Sequence, residues 1–263
     1  MHGFFGALEH ALECEDLARS DGLLQKIDPR VKLIGILALV VGAAASRRLE
    51  VIGVVFAAGC VMALFSHVPL RTLVLRVWAG AFVFTGAIAL PAIFLTPGAP
   101  IRHLPFVGWP VTFEGLRAAT YLVSRVETTA TLSMLLVLST PWTHVLKSLR
   151  ALRVPVVLVV ILGMTYRYIL LLIETAIEMM DSRRSRTVGR LEPSEGRRLA
   201  VATAGVLLSK TMQLSGDVYL AMQSRGFRGE VYVLDEFRMT ARDWGWLALF
   251  LASAAAAVWI GQH

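Results

Sequence analysis

Hydrophobic positions along this chain fall mostly in long blocks rather than in the alternating or 3.6-residue patterns of a soluble domain. Blocks at 31–45, 49–65, 77–95, 115–138 and 244–260 approach or reach the ~17–25 residues a helix needs to cross the hydrocarbon layer. The first is short for a crossing unless its ends extend, and only Ser46-Arg47-Arg48 separates it from the second. A short basic segment fills 66–76. Pro97, Pro100, Pro105 and Pro110 punctuate 96–110, with Pro91 just before, so that stretch reads as a loop. Trp244 and Trp246 open the last block as interfacial anchors.

After Thr140-Pro141 the pattern changes. Residues 141–153 are amphipathic, with Val145, Leu146, Leu149 and Leu152 on one face and Lys147, Arg150 and Arg153 opposite. Residues 155–173 are apolar enough to span on length alone. They nevertheless contain Arg167, and they run without a breaker into Glu174, Glu178, Asp181 and the basic run Arg183-Arg184-Ser185-Arg186. A further helical pattern of mixed faces covers 196–225. The expected fold is an all-α integral membrane protein with about five, possibly six, transmembrane helices and long cytoplasmic helices. Its expected divisions are 1–140 (a polar lead-in and four spans), 141–243 (cytoplasmic) and 244–263 (the last span).

Composition sharpens this. The 263 residues are 56% hydrophobic with a mean hydropathy of +0.64, and 17% are charged, against roughly 25% in soluble domains. The net charge of +7 matters through its placement. With the N-terminus inside and five spans, 21 of the 26 Lys and Arg lie on the inner side and three (Arg47, Arg48, Arg102) outside. Arg117 and Arg125 fall in or at the fourth span. This fits the positive-inside rule. A crossing by 155–173 would turn one of its basic flanks outward, so that helix is expected at or near the inner interface. Residues 1–30 carry Glu9, Glu13, Glu15, Asp16 and Asp28 without a clean apolar core, so the spans themselves are expected to direct insertion.

Little in the chain speaks for catalysis. There is no phosphate-binding glycine loop, no paired carboxylate at a useful spacing, no His-x-x-x-His and no cysteine cluster, so no enzyme activity, cofactor or metal site is expected. Cys14 and Cys60 lie far apart. His2, His10 and Glu13 could hold a metal on a folded N-terminal segment, but they read more simply as surface residues. Arg125 and Glu127 stand inside the fourth span, where a central charge costs roughly 2.5–3.5 kcal/mol. Such residues face a cavity, a partner subunit or another span, and pairing with another span is the expected arrangement. Glu174 and Glu178 lie one helical turn apart.

The informative feature is a pair of tripeptides, Ser185-Arg186-Thr187 and Ser224-Arg225-Gly226, each closing a long amphipathic helix. A helix C-terminus favours a cation. An arginine flanked by small residues can reach a partner's groove and bond carboxylates or carbonyls through its planar fork. Arginines at such helix ends are also common as plain topology signals.

Larger segments carry a resemblance. Ala221-Met222-Gln223-Ser224-Arg225-Gly226-Phe227, Met179-Met180-Asp181-Ser182-Arg183-Arg184-Ser185-Arg186 and Thr165-Tyr166-Arg167-Tyr168 with Glu174 are three of them. Others are Leu23-Leu24-Gln25-Lys26-Ile27-Asp28-Pro29-Arg30-Val31-Lys32-Leu33, Ser66-His67-Val68-Pro69-Leu70-Arg71 and Ser139-Thr140-Pro141-Trp142. Taken in order over almost the whole chain, they resemble the T subunit of energy-coupling-factor importers, in particular its CbiQ branch. The resemblance implies two crossed cytoplasmic coupling helices. It assigns Arg186 and Arg225 to docking on two ATPase subunits, with Ser185, Thr187, Ser224 and Gly226 completing the motifs. It also implies a separate substrate-specific membrane subunit of CbiM type, a site in the prokaryotic inner membrane, and cobalt or nickel as cargo. A vitamin importer of the same class and a conventional ABC permease remain alternatives; no nucleic acid is expected. Thr187 departs from the glycine of the family pattern, leaving the backbone there in question. Asp28, Pro29 and Arg30 match a family signature, and a structural role is expected for them: Pro29 to start the helix, Arg30 and Lys32 to anchor its inner end. Arg167, Glu174 and Glu178 are expected in the coupling-helix network.

Overall fold

A computed structural model describes residues 22–66, 70–96, 100–103, 110–186, 193–227 and 239–262. It is almost wholly helical. In chain order the elements are α1 (Pro29–Ala45), α2 (Leu49–Phe65) and α3 (Leu70–Leu73), which passes through a π-helical turn (Val74–Trp78) into α4 (Ala79–Leu95). Then come β1 (Pro100–His103), β2 (Pro110–Thr112), α5 (Phe113–Ser139), α6 (Trp142–Ala151), α7 (Val156–Arg184), α8 (Pro193–Ser224) and α9 (Ala241–Gln262). Two compact units result: Met1–Ser148 with Phe237–His263, and Leu149–Glu236.

In the first unit the helix starts follow from local chemistry. Pro29 sits at the first helical position of α1, where no intrahelical donor is lost, and the Asp28 carboxylate accepts the Arg30 N–H. Thr112 caps α5 through Gly115 N. At the start of α9 the Asp243 carboxylate accepts from both Thr240 N and Thr240 Oγ1, while Asp243 N bonds the Thr240 carbonyl. α5 packs against α1, α2 and α4, and α9 lies along α1. The core holds Val31, Ile36, Leu39, Val55, Leu132 and Phe250. α1 and α9 run parallel and very close. A Cβ on Gly42 would stand 3.1 Å from the Ala254 carbonyl, and one on Gly261 would overlap Ser46. Small residues at such contacts let two membrane helices approach backbone to backbone.

The ends of these helices define the topology. At one end Leu23 N bonds Phe65 O, Gln25 bonds Ser66, Lys32 reaches Ser139 O and Asp28 N meets Asp243. At the other, Arg47 N bonds Gly261 O and Tyr121 donates to Ser46 O. α1, α4 and α9 therefore ascend while α2 and α5 descend. The chain leaves for the second unit after α5 and returns at α9 on the same end. By length and composition α5, α7 and α9 can each span a bilayer, while Leu49–Phe65 and Ala79–Pro91 are shorter apolar helices.

The structure adds detail where the residue pattern is ambiguous. The stretch 96–110 is not all loop: Pro100–His103 and Pro110–Thr112 form an antiparallel ladder with an irregularity between Pro100 and Arg102. Prolines are tolerated there because the ladder is short and has only edge strands. The third apolar block begins earlier, at Leu70, and Pro91 lies inside α4 rather than ending it. Membrane helices accommodate such a proline through local adjustment of the backbone.

In the second unit, Arg183 Nη1 donates to Leu199 O at 3.4 Å. Ile161, Tyr168 and Leu172 of α7 share a groove with Thr211, Leu214 and Val218 of α8. Position 183 thus faces 199 while 161–172 face 211–218, which makes the two helices an antiparallel pair.

Candidate functional site

The antiparallel arrangement puts the two tripeptides at opposite ends of the α7–α8 pair. The end of α7 lies near Leu199, and α8 runs a further 26 residues from there to Arg225, roughly 40 Å at 1.5 Å per residue. Ser185, Arg186, Ser224, Arg225 and Gly226 are all exposed.

The end of α8 is built in detail. Gly226 adopts φ +72°, Gly226 N bonds Gln223 O at 2.9 Å, and Phe227 N bonds Met222 O at 3.0 Å. These two bonds and the left-handed glycine form a Schellman closure. It satisfies the last carbonyls and leaves Arg225 as the terminal side chain of a fixed turn. Ser224 Oγ returns to Ala221 O at 2.9 Å, which keeps the neighbouring hydroxyl off the arginine. At the end of α7 the described residues stop at Arg186. Ser185 N bonds Asp181 O, Arg186 N bonds Arg183 O at 3.1 Å, and Ser185 Oγ bonds Ser182 O. Thr187, the residue departing from the glycine pattern, lies outside the described residues, as do His2, His10, Glu13 and Cys14.

A second cluster sits at the end of the first unit where the chain leaves and returns. Lys32, 1% exposed, donates from Nζ to Ser139 O at 2.8 Å. Asp28 N donates to Asp243 Oδ1 at 3.1 Å, while the other oxygen of Asp243 holds Thr240. Asp28, Lys32, Ser139, Thr140 and Asp243 are all buried. One turn of α1 thereby ties the last residue of α5 to the first turn of α9, the two strands of chain that frame the α7–α8 pair. Asp28, Pro29 and Arg30 belong to this turn. In the sequence Ser139 stands out only within the resemblance segment Ser139-Thr140-Pro141-Trp142, and Asp243 is not singled out, although Thr240-x-x-Asp243 ahead of an apolar run is itself a recognisable cap.

The intramembrane charges do not meet. Arg125 stands over the Tyr121 ring of its own helix, 5.9 Å from the centroid. The two carboxylate oxygens of Glu127 are buried with no hydrogen-bond partner among the described residues. One turn on, Thr131 Oγ1 bonds Glu127 O and accepts from Trp78 Nε1 at 2.9 Å, linking α5 to the π-helical turn. Arg167, Glu174 and Glu178 are exposed along α7. Among the described residues no three His, Cys, Asp or Glu are grouped to hold a metal.

Long apolar helices in both units, with an antiparallel helical pair tipped by arginines in the second, point to a membrane protein. The chain belongs to the CbiQ cobalt transport protein family, whose model matches residues 21–233. Its relatives include the uncharacterized protein MJ1571 of Methanocaldococcus jannaschii, 35% identical over 82% of this chain and 75% of that protein. The cobalt transport protein CbiQ of Rhodobacter capsulatus is 29% identical over 61% and 64%. The nickel permease LarQ of Lactiplantibacillus plantarum is 28% identical over 89% and 77%. The chain is therefore a membrane protein of a cobalt and nickel transport family.

Proposed function

We propose that this chain is the transmembrane coupling subunit of an ATP-driven energy-coupling-factor importer for cobalt or nickel ions. The observation that carries the reading is the pair of exposed arginines, Arg186 and Arg225, at opposite ends of one antiparallel helix pair. A single protein groove could not take both across roughly 40 Å, whereas two ATPase subunits side by side could take one each. ATP binding would draw those subunits together and move the two helix ends relative to each other. The exposed apolar faces of α7 and α8, including Ile161, Ile169, Met212 and Leu220, would pass that movement to a separate substrate-binding membrane subunit. The cargo is assigned from the cobalt and nickel relatives.

In this reading residues 141–243 form the coupling region on the cytoplasmic side of the inner membrane, with the N-terminus also inside. The first turn of α1 is the fixed point, because Asp28 and Lys32 hold both chain connections to that region. Glu174 and Arg167 are exposed on α7 for contacts to a partner. The test is uptake of cobalt or nickel into proteoliposomes holding the whole complex, with R186E and R225E introduced singly and together. Each single change is expected to cut ATP-dependent uptake at least tenfold. Full uptake by the double variant would reject the coupling role.

A further inference from the structure

At the end of the first unit away from Asp28, a cavity of about 690 Å³ opens between the end of α1, the start of α2 and the first half of α5. Arg47, Arg117 and Arg125 line it, with Glu114 as the one carboxylate in the lining. We propose that this cavity binds the phosphate of an anionic phospholipid headgroup. The inference rests on the five-helix arrangement of the first unit and not on the coupling role.

Three features support it. The first is charge. Three arginines line one cavity at the end of the first unit away from Asp28, where the positive-inside rule disfavours cations. Gathering them around one concave surface makes sense when an anion shares it. Guanidinium bonds phosphate oxygens through two parallel N–H groups, which a point charge cannot do.

The second is depth. α5 has 27 residues, about 40 Å, against roughly 30 Å of hydrocarbon. Measured from Ser139, Arg125 lies about 21 Å along the axis and Arg117 about 33 Å. Arg117 then stands at headgroup level, and the Arg125 backbone lies about 9 Å beneath the boundary, with its side chain extending upward toward it. Arg47, two residues beyond α1, sits at the same boundary. The cavity therefore straddles the layer in which phospholipid phosphates lie.

The third is preorganisation. Arg117, Tyr121 and Arg125 recur every four residues on one face of α5. The Tyr121 hydroxyl is tied to Ser46 O and its ring supports the Arg125 guanidinium. Ala44, Ala45, Leu49 and Ala118 form the apolar part of the wall, where the glycerol and upper acyl carbons would rest. A free phosphate ion would leave that wall uncovered, which favours the lipid as the source of the anion.

Native mass spectrometry of the purified full chain, titrated with phosphatidylglycerol, phosphatidylcholine or inorganic phosphate, tests this. The wild type is expected to retain one phosphatidylglycerol in preference to phosphatidylcholine, and R117Q/R125Q to weaken that binding roughly tenfold or more. R48Q, which removes a cation from the same end but outside the cavity, is expected to bind as the wild type does. Equal loss in R48Q would mean diffuse attraction and would overturn the proposal, as would equal retention of both lipids. Displacement by inorganic phosphate without any lipid preference would assign a free anion instead. Normal lipid binding by R117Q/R125Q, with loss of a membrane partner, would assign a protein carboxylate. ATPase attachment through Arg186 and Arg225 is read separately, so failure of either idea leaves the other standing.

Discussion

Replacing Lys32 with methionine probes the fixed point on which the account depends. Lys32 is 1% exposed and spends its ammonium on the Ser139 carbonyl at 2.8 Å, with Asp28 one turn back. A hydrogen bond to a charged group contributes about 1.5–3 kcal/mol. Removing one partner from a buried charge group costs about 3–5 kcal/mol, since the others stay behind uncompensated. Here the Asp28 carboxylate loses the ammonium near it and Ser139 O loses its donor, while methionine refills most of the volume. A net loss of about 3 kcal/mol follows. At about 2–4 °C per kcal/mol for a chain of this size, the melting temperature in detergent should fall by about 6–12 °C. Differential scanning fluorimetry reads this directly, with K210M as the control: Lys210 is exposed on α8, so its loss should stay within about 0.5 kcal/mol. A fall of less than 2 °C in K32M, or an equal fall in K210M, would refute the reasoning.

Two further changes test the helix ends. Gly226→Ala places a Cβ at φ +72°, which costs about 1 kcal/mol; it should loosen the closure of α8 and weaken ATPase attachment severalfold in a pull-down without unfolding the chain. Arg153 is a non-glycine residue at φ 64°, with Val154 N bonded to Leu149 O in the same type of closure after α6. Arg153→Gly should therefore raise the melting temperature slightly, by up to about 1 kcal/mol of stability, and a fall would show that the Arg153 side chain matters more than its backbone.

Much of the membrane architecture is legible in the residues because burial in lipid demands long apolar blocks. The second block matches α2 at both ends, and the apolar run at 115–138 lies within Phe113–Ser139. What hides is the interaction of distant segments. Asp28 announces a helix cap, but nothing local says that its own N–H will meet Asp243, 215 positions away. Lys32 reads as an inner-end anchor, and only the packing shows it pointing inward to Ser139 rather than to lipid headgroups. Prolines conceal the small ladder at 100–112, since breakers signal a chain reversal without saying whether its arms pair. The π-helical turn at Val74–Trp78 leaves no composition signal; it is visible through Trp78, which it aims at Thr131. At the candidate docking ends the local signals are good, because Gly226 is the residue a left-handed closure needs. The antiparallel sense of α7 and α8, which sets the arginines far apart, requires the contact between Arg183 and Leu199.

The central claim is that Arg186 and Arg225 hold the ATPase subunits. Its most direct test is co-purification of the cognate ATPase with the R186E/R225E chain, solubilised from membranes and checked for a monodisperse fold. The account predicts that the wild type carries the ATPase through purification and that the double variant, still folded, carries almost none. A folded double variant that retains the wild-type amount of ATPase would contradict it.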